Sequence, residues 1–93
     1  MEEPLPQITL TVRHPMGLHA RPAALFVQKA SSFTSDIRLR HGEREANAKS
    51  ILGVLTLGVG QDAVIAVEAE GADAQQALEA LRALVEGNFG EAA

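Results

Sequence analysis

The chain has 93 residues and a formal net charge of −4, from twelve acidic and eight basic side chains. This acidic balance and the absence of Trp and Tyr exclude a basic or aromatic platform for nucleic acid, and the absence of Cys excludes disulfides and thiolate chemistry. Because the chain has no basic leader with an apolar segment and no apolar run near the ~20 residues of a membrane span, we expect a cytoplasmic protein without membrane insertion.

The first predicted elements are a strand and a helix, separated by a loop that contains a histidine. Alternation of Ile8, Leu10 and Val12 with polar neighbours predicts a half-buried strand. Pro22 suits the first position of the following helix, because it has no N–H to donate and a fixed φ. Apolar residues at helical spacing predict that this helix ends near residues 31–32: Ala23, Phe26, Val27 and Ala30.

The middle of the chain predicts a hairpin and a short helix. Residues 36–40 alternate between apolar and charged side chains, and residues 41–43 predict a turn into a second strand that runs to Ala48. Ser50 then suits the N-cap of a short helix from Ile51 to about Leu57. This helix is expected to end at two glycines, Gly58 and Gly60.

The last third predicts a strand and a longer helix. Residues 63–69 are apolar, with Ile65, Val67 and Ala69 on one face of the strand. Asp73 and Gln76 have the spacing of a capping box, and Gly87 is a candidate C′ residue. The helix between them carries a long apolar stripe: Ala74, Ala77, Leu78, Leu81, Leu84 and Val85.

The element order β-α-β-β-α-β-α predicts one α+β domain. Such an order closes a four-stranded antiparallel sheet with three helices on one face, an open-faced sandwich. We expect the single domain to span residues 1–93 with a core at about 7–87. Residues 1–6 and 88–93 are expected to be frayed ends.

The run Gly17-Leu18-His19-Ala20-Arg21-Pro22 places a histidine just outside a helix N-terminus. The free backbone N–H groups of Ala20 and Arg21, the positive end of the helix and the Arg21 guanidinium can all converge on one anion. A nucleophilic imidazole must be neutral, and the positive helix end disfavours the imidazolium form. These residues predict a phosphate cradle with a nucleophile, His19, at its mouth.

The other two histidines are expected to have structural or solvent roles. His14 lies at a strand end before Pro15, and His41 lies in a turn. The three histidines have no partner at metal-ligand spacing, so neither a metal nor another cofactor is expected.

Two motifs in register, residues 17–24 and residues 48–58, strongly resemble HPr, the histidine-containing phosphocarrier of the phosphoenolpyruvate-dependent sugar phosphotransferase system (PTS). The resemblance extends from Gln7 to Glu86 and implies the same fold, with the other sheet face left to solvent. It implies that His19 receives a phosphoryl group with help from Arg21. The implied partners are enzyme I upstream and sugar-specific enzyme IIA components downstream, with a monomeric carrier that is not an enzyme by itself.

The same resemblance gives Ser50 a second interpretation beside its role as a cap. In many HPr proteins this serine is phosphorylated by a dedicated kinase, which implies HPr kinase/phosphorylase and a transcriptional regulator as further partners. On spacing alone, half or more of the apolar side chains on the short helix would fill the core. The family instead presents them to partner enzymes, and the implied docking residues are Met16, Ala20, Ile51, Leu52 and Leu55.

Two alternatives to sugar transport remain open at the level of sequence. A paralogue of HPr could serve nitrogen-related signalling or dihydroxyacetone phosphorylation with the same chemistry. A regulatory or ligand-binding module of ferredoxin-like topology would bind an anion at His19 without covalent transfer.

Overall fold

The order of elements agrees with the order predicted from the sequence. The computed structural model describes residues 4–91. The elements are β1 (Gln7–Val12), α1 (Ala20–Ser31), β2 (Asp36–His41), β3 (Arg44–Asn47), α2 (Ile51–Thr56), β4 (Ala63–Glu70) and α3 (Ala74–Glu86), followed by a single 3₁₀ turn, Asn88–Gly90. No helix within residues 4–91 is long and apolar enough to cross a bilayer.

The four strands form one antiparallel sheet in the order β1-β4-β2-β3. β4 is central: Ile65 pairs with Leu10 of β1, and Val67 pairs with Leu39 of β2. Because side chains alternate across a strand, the apolar positions of all three strands share one buried face. α3 packs on β1 and β4, and α1 packs on α2 and α3, so the helices cover that face. The predicted open-faced sandwich is confirmed.

The core lies between this sheet face and the helices. Phe26 of α1 and Leu81 of α3 are completely buried, and each stabilises the fold by about 1.5–3 kcal/mol relative to an exposed side chain. Ala23, Ala30 and Ala77 are also fully buried, and their small side chains let the helices approach one another and the sheet closely.

One predicted helix boundary is wrong by two residues. α1 begins at Ala20, so that Pro22 is its third residue and not its first. Proline is accepted there because none of the first N–H groups of a helix has an intrahelical acceptor. α2 ends at Thr56 with Leu57 as its C-cap residue, which agrees with the predicted end near Leu57. Gly58 lies in the left-handed region (φ +65°), whereas Gly60 does not have a positive φ.

The predicted capping box of α3 is also wrong. Asp73 is the N-cap residue, but its carboxylate makes no hydrogen bond to its own helix. It accepts hydrogen bonds from the backbone N–H of Thr34 and of Ser35, both at 2.9 Å, and from both hydroxyls. These hydrogen bonds lower the pKa of Asp73 to about 2, that with the Ser35 hydroxyl being the largest cause. Asp73 therefore ties the start of α3 to the loop before β2.

The chain ends are more ordered than predicted. The carbonyl oxygen of Pro6 accepts a hydrogen bond from Ala69 N–H at 3.0 Å, which extends the pairing of β1 with β4. Gly87 has a negative φ and is not a left-handed C′ residue, because the left-handed conformation is taken up by Asn88 and Phe89 instead. Phe89 is buried, so the expectation of a frayed end is wrong for residues 88–91. Residues 1–3 and 92–93, which were expected to fray too, lie outside the described residues.

Candidate functional site

The loop before α1 is pinned at two points. Gly17 N–H donates to the carbonyl oxygen of His14 at 2.8 Å and closes a four-residue turn. Leu18 N–H donates to the carbonyl oxygen of Val59 at 2.9 Å, and the Leu18 side chain is buried. Gly17 has a φ of +63°, and a Cβ atom on it would lie 2.1 Å from the Val59 oxygen. Only glycine fits there, and this close approach fixes the position of His19, two residues later.

His19 is the N-cap residue of α1, at the place where the sequence predicts a nucleophile. Its backbone is extended (φ −87°, ψ −167°), and its half-buried side chain makes no capping hydrogen bond. The carbonyl oxygen of His19 accepts the N–H of Ala23 at 2.8 Å, which starts the helix. The N–H groups of Ala20 and Arg21 lie in the first turn and have no acceptor within the helix. An anion bound at His19 thus meets unsatisfied donors at the positive end of α1.

Arg21 lies in the same turn and is free to move toward such an anion. Its side chain is 75% exposed, and its nearest carboxylate oxygen, Oε1 of Glu91, is 4.0 Å from Nη1. An ion pair this long and this exposed holds the guanidinium only weakly. Arg21 can therefore exchange Glu91 for a phosphoryl oxygen at little cost.

His14 and Glu91 also belong to this site, although the sequence did not assign them to it. His14 is buried and hydrogen-bonded to Glu91 through Nε2, and its ring centroid lies 5.5 Å from that of His19. The structural role predicted for His14 agrees with this burial. The one signal in the sequence was Phe89, a large apolar residue among small and polar ones, which indicates that the segment containing Glu91 packs on the core. His41 is placed elsewhere, with Nδ1 bonded to the Leu57 carbonyl oxygen at 3.0 Å.

Ser50 is the N-cap residue of α2, as predicted. Its Oγ accepts the N–H of Gly53 at 3.1 Å, so the hydroxyl is engaged as a cap. The ammonium group of the preceding residue, Lys49, donates to the carbonyl oxygen of Phe33 at 2.7 Å, just beyond the end of α1. The other end of α2 leads to Val59, which holds the loop before α1. α2 therefore runs antiparallel to α1, with Ser50 at the end of α2 that is remote from His19.

An exposed apolar surface lies along α2 between these two ends. α2 buries Val54, whereas Ile51, Leu52 and Leu55 are all exposed, Leu52 by 73%. The expectation from spacing alone, that half or more of these three fill the core, is therefore wrong. Met16 is 64% exposed in the loop before His19, and Ala20 is exposed as well. These five residues are called the α2 surface below.

A well-formed cleft on the described part of the protein does not coincide with this site. It has a volume of about 610 Å³ and lies between β1 and the end of α3, where Thr11, Arg13 and Glu86 contribute to its lining. Neither His19 nor Arg21 lines it. The histidine site is open, which suits a group delivered by another macromolecule better than an enclosed small-molecule substrate.

Comparison with known proteins agrees with the geometry. The family described as "PTS HPr component phosphorylation site" matches residues 6–87. HPr-C-His from Thermoanaerobacter tengcongensis has 46% identity and a TM-score of 0.93, with 96% of this chain and 100% of that chain covered. The phosphocarrier protein HPr from Bacillus anthracis strain Ames has 44% identity and a TM-score of 0.84, with 89% and 99% covered. An HPr dimer from T. tengcongensis has 47% identity and a TM-score of 0.76, with 98% and 100% covered. The chain therefore belongs to the HPr family of PTS phosphocarrier proteins.

Proposed function

We propose that this protein accepts a phosphoryl group on His19 from phosphoenolpyruvate by way of enzyme I and passes it to sugar-specific enzyme IIA components. One observation carries the proposal: His19 is an N-cap residue without a side-chain capping bond, in a chain of the HPr family. The imidazole is thus not engaged as a cap, and it lies beside the free backbone N–H groups at the start of α1. Like other carriers of this kind, the protein turns over only through its partners.

The transfer step asks for a free nitrogen and for positive groups around the phosphorus. An unprotonated ring nitrogen of His19 attacks phosphorus in line, a P–N bond forms, and the donor leaves with the electron pair of its broken bond. The N–H groups of Ala20 and Arg21 and the Arg21 guanidinium then stabilise the charge on the equatorial oxygens. Onward transfer reverses these roles, with the acceptor as the nucleophile.

We propose that enzyme I and enzyme IIA both dock on the α2 surface. Its apolar side chains are exposed, with Met16 and Ala20 close to His19 in the chain, and a small apolar patch with a polar rim suits a transient contact. A partner seated there reaches His19 while the other face of the sheet stays in solvent. We expect the protein to work as a cytoplasmic monomer.

We further propose that Ser50 is a regulatory phosphorylation site for HPr kinase/phosphorylase, read out by a transcriptional regulator. A phosphate on Ser50 adds a charge of about −2 at the N-terminus of α2, where backbone N–H groups stabilise it. The same charge lies directly beside Ile51 and Leu52 of the α2 surface. Docking of enzyme I is therefore expected to weaken while the fold is kept.

Incubation with phosphoenolpyruvate and purified enzyme I tests the carrier role. We expect an acid-labile phosphohistidine signal in the ³¹P NMR spectrum of the wild type, and of His41→Ala, which removes a half-buried histidine outside the site. We expect no signal from His19→Ala. A signal that survives in His19→Ala contradicts the proposal, and so does a wild type that stays unmodified by an enzyme I shown to be active.

The acceptor can be identified with the same phosphorylated protein. Offered enzyme IIA components for sugars, for nitrogen-related signalling and for dihydroxyacetone, it is expected to transfer fastest to a sugar-specific component. Faster transfer to either of the others assigns the protein to that branch. A protein that binds phosphate at His19 without a covalent bond is instead a regulatory or ligand-binding module.

A further inference from the structure

His14 is a buried polar residue in direct contact with the proposed nucleophile. Only 9% of it is exposed, and its ring is tilted by 47° to that of His19 at a centroid distance of 5.5 Å. On another side, the ring of Phe89 meets it nearly at right angles, with centroids 6.3 Å apart. The His14 ring thus forms one wall of the space in which the His19 side chain can rotate.

Both nitrogens of His14 are bonded, which fixes its ring. Met16 N–H donates to Nδ1 at 3.1 Å, so Nδ1 is an acceptor and carries no proton. The ring proton is therefore on Nε2, which donates to the carboxylate of Glu91. A histidine bonded at both nitrogens has a defined tautomer and a defined orientation.

The C-terminal turn, residues 88–91, is built to bring Glu91 to His14. Asn88 and Phe89 have φ values of +54° and +58°, in the left-handed region that is strained for most L-residues, Phe89 above all. Burial of the Phe89 side chain offsets part of that strain. The other oxygen of Glu91 lies 4.0 Å from Arg21 Nη1, so the turn contacts the site at two points.

We propose that His14 is a positioning residue: held by Met16 N–H and by the Glu91 carboxylate, its ring confines the imidazole of His19 to the orientation from which it receives the phosphoryl group. The catalytic part of this inference rests on the function proposed above. The confinement itself is a property of the free protein, so it can be measured without any transfer.

A small set of variants separates the parts of this arrangement. His14→Asn keeps an acceptor for Met16 N–H and loses both the ring and the bond to Glu91. Glu91→Gln keeps an acceptor for His14 Nε2–H and removes the charge. His41→Ala is the control for removal of a histidine outside the site, since His41 is half-buried and its Nδ1 is bonded to a backbone carbonyl oxygen.

The first readout is the side-chain conformation of His19 in the free protein, from ¹⁵N imidazole spectra and χ1 couplings. We expect a single His19 rotamer in the wild type, in Glu91→Gln and in His41→Ala. We expect averaged couplings in His14→Asn. The proposal is overturned if His14→Asn keeps the single rotamer, or if His41→Ala loses it too, since the effect is then absent or global.

The second readout is the rate at which enzyme I phosphorylates each variant. We expect kcat for His14→Asn to fall about tenfold with KM within about twofold, because geometry at His19 changes and the docking surface does not. An unchanged kcat overturns the proposal. If the wild type itself is not phosphorylated, the carrier function fails, and the rotamer measurement still decides whether His14 confines His19.

Discussion

The N-termini of α1 and α2 carry the two candidate phosphorylation residues in the same structural position, yet they differ in what the side chain does. Each residue is an N-cap with an extended backbone. Ser50 Oγ accepts the N–H of Gly53 at 3.1 Å, so that α2 is capped by its own residue. His19 makes no such bond, so the first backbone N–H groups of α1 remain available to an anion from outside the helix.

On the function proposed above, this difference would suit His19 to transfer and Ser50 to a lasting modification. A phosphoryl group on His19 would gain hydrogen bonds from N–H groups that have no partner in the helix, and it would lose them again on departure. A phosphate on Ser50 would instead have to replace an existing cap, and the helix end would stabilise it there. The proposal therefore pairs an uncapped helix end with exchange and a self-capped one with a stable product.

The largest expected effect is a loss of stability on substitution of Gly17, which positions the uncapped N-terminus of α1. In Gly17→Ala, a methyl group would lie 2.1 Å from the Val59 oxygen, and the residue would keep a φ of +63°. Strain and overlap together are expected to destabilise the protein by about 3 kcal/mol or more. Urea denaturation followed by circular dichroism measures this loss.

Gly42→Ala is the matched control for that experiment. Gly42 has nearly the same φ, +62°, but a Cβ atom there meets nothing within 4 Å. Its loss is expected to be only about 1 kcal/mol. Equal losses in the two variants would mean that the contact with Val59 does not hold the His19 loop.

A smaller loss of stability is expected at the N-terminus of α2, which Ser50 caps. Ser50→Ala removes the acceptor for Gly53 N–H and is expected to cost about 1 kcal/mol of unfolding free energy. Ser50→Asp restores an acceptor with a negative charge and is expected to recover most of that loss. In the same pair, binding of enzyme I by calorimetry should weaken in Ser50→Asp and not in Ser50→Ala. If both bind alike, charge at Ser50 does not regulate docking.

The smallest expected effect concerns Asp73 at the N-terminus of α3, because its contribution to stability changes with pH only under acidic conditions. The pKa of Asp73 is about 2 in the folded protein and near 3.8 in an unfolded chain, so the carboxylate stabilises the fold above pH 4. This contribution is lost as the pH falls from about 4 to 2. Asp73→Asn removes it, so the stabilities of wild type and variant should converge over that range and run parallel above pH 5. Parallel curves down to pH 2 would contradict the hydrogen bonds to Thr34 and Ser35.

Local patterns were enough to place the elements and the two helix ends, but not the contacts between distant segments. Alternation and helical spacing located β1, α1 and α2, and the serine before α2 marked its N-cap, whereas Pro22 suggested a start for α1 that is two residues too late. The role of Asp73 was missed because its partners, Thr34 and Ser35, lie almost 40 residues earlier in the chain.

The bond between His14 and Glu91 was missed for the same physical reason. The two residues are 77 positions apart, and no local spacing relates them. The turn that joins them depends on burial of Phe89 against a core that exists only after folding. Side chains that hold a site together from a distance are therefore the part of this molecule that sequence reasoning could not supply.

The most direct test of the open helix end is the ¹H–¹⁵N spectrum of the protein before and after phosphorylation by enzyme I. We predict large downfield amide shifts at Ala20 and Arg21, since their N–H groups acquire a phosphoryl oxygen as acceptor, with little change at Ile51 and Leu52. A phosphorylated protein in which the Ala20 and Arg21 amides do not shift would contradict the claim that the uncapped end of α1 receives the phosphoryl group.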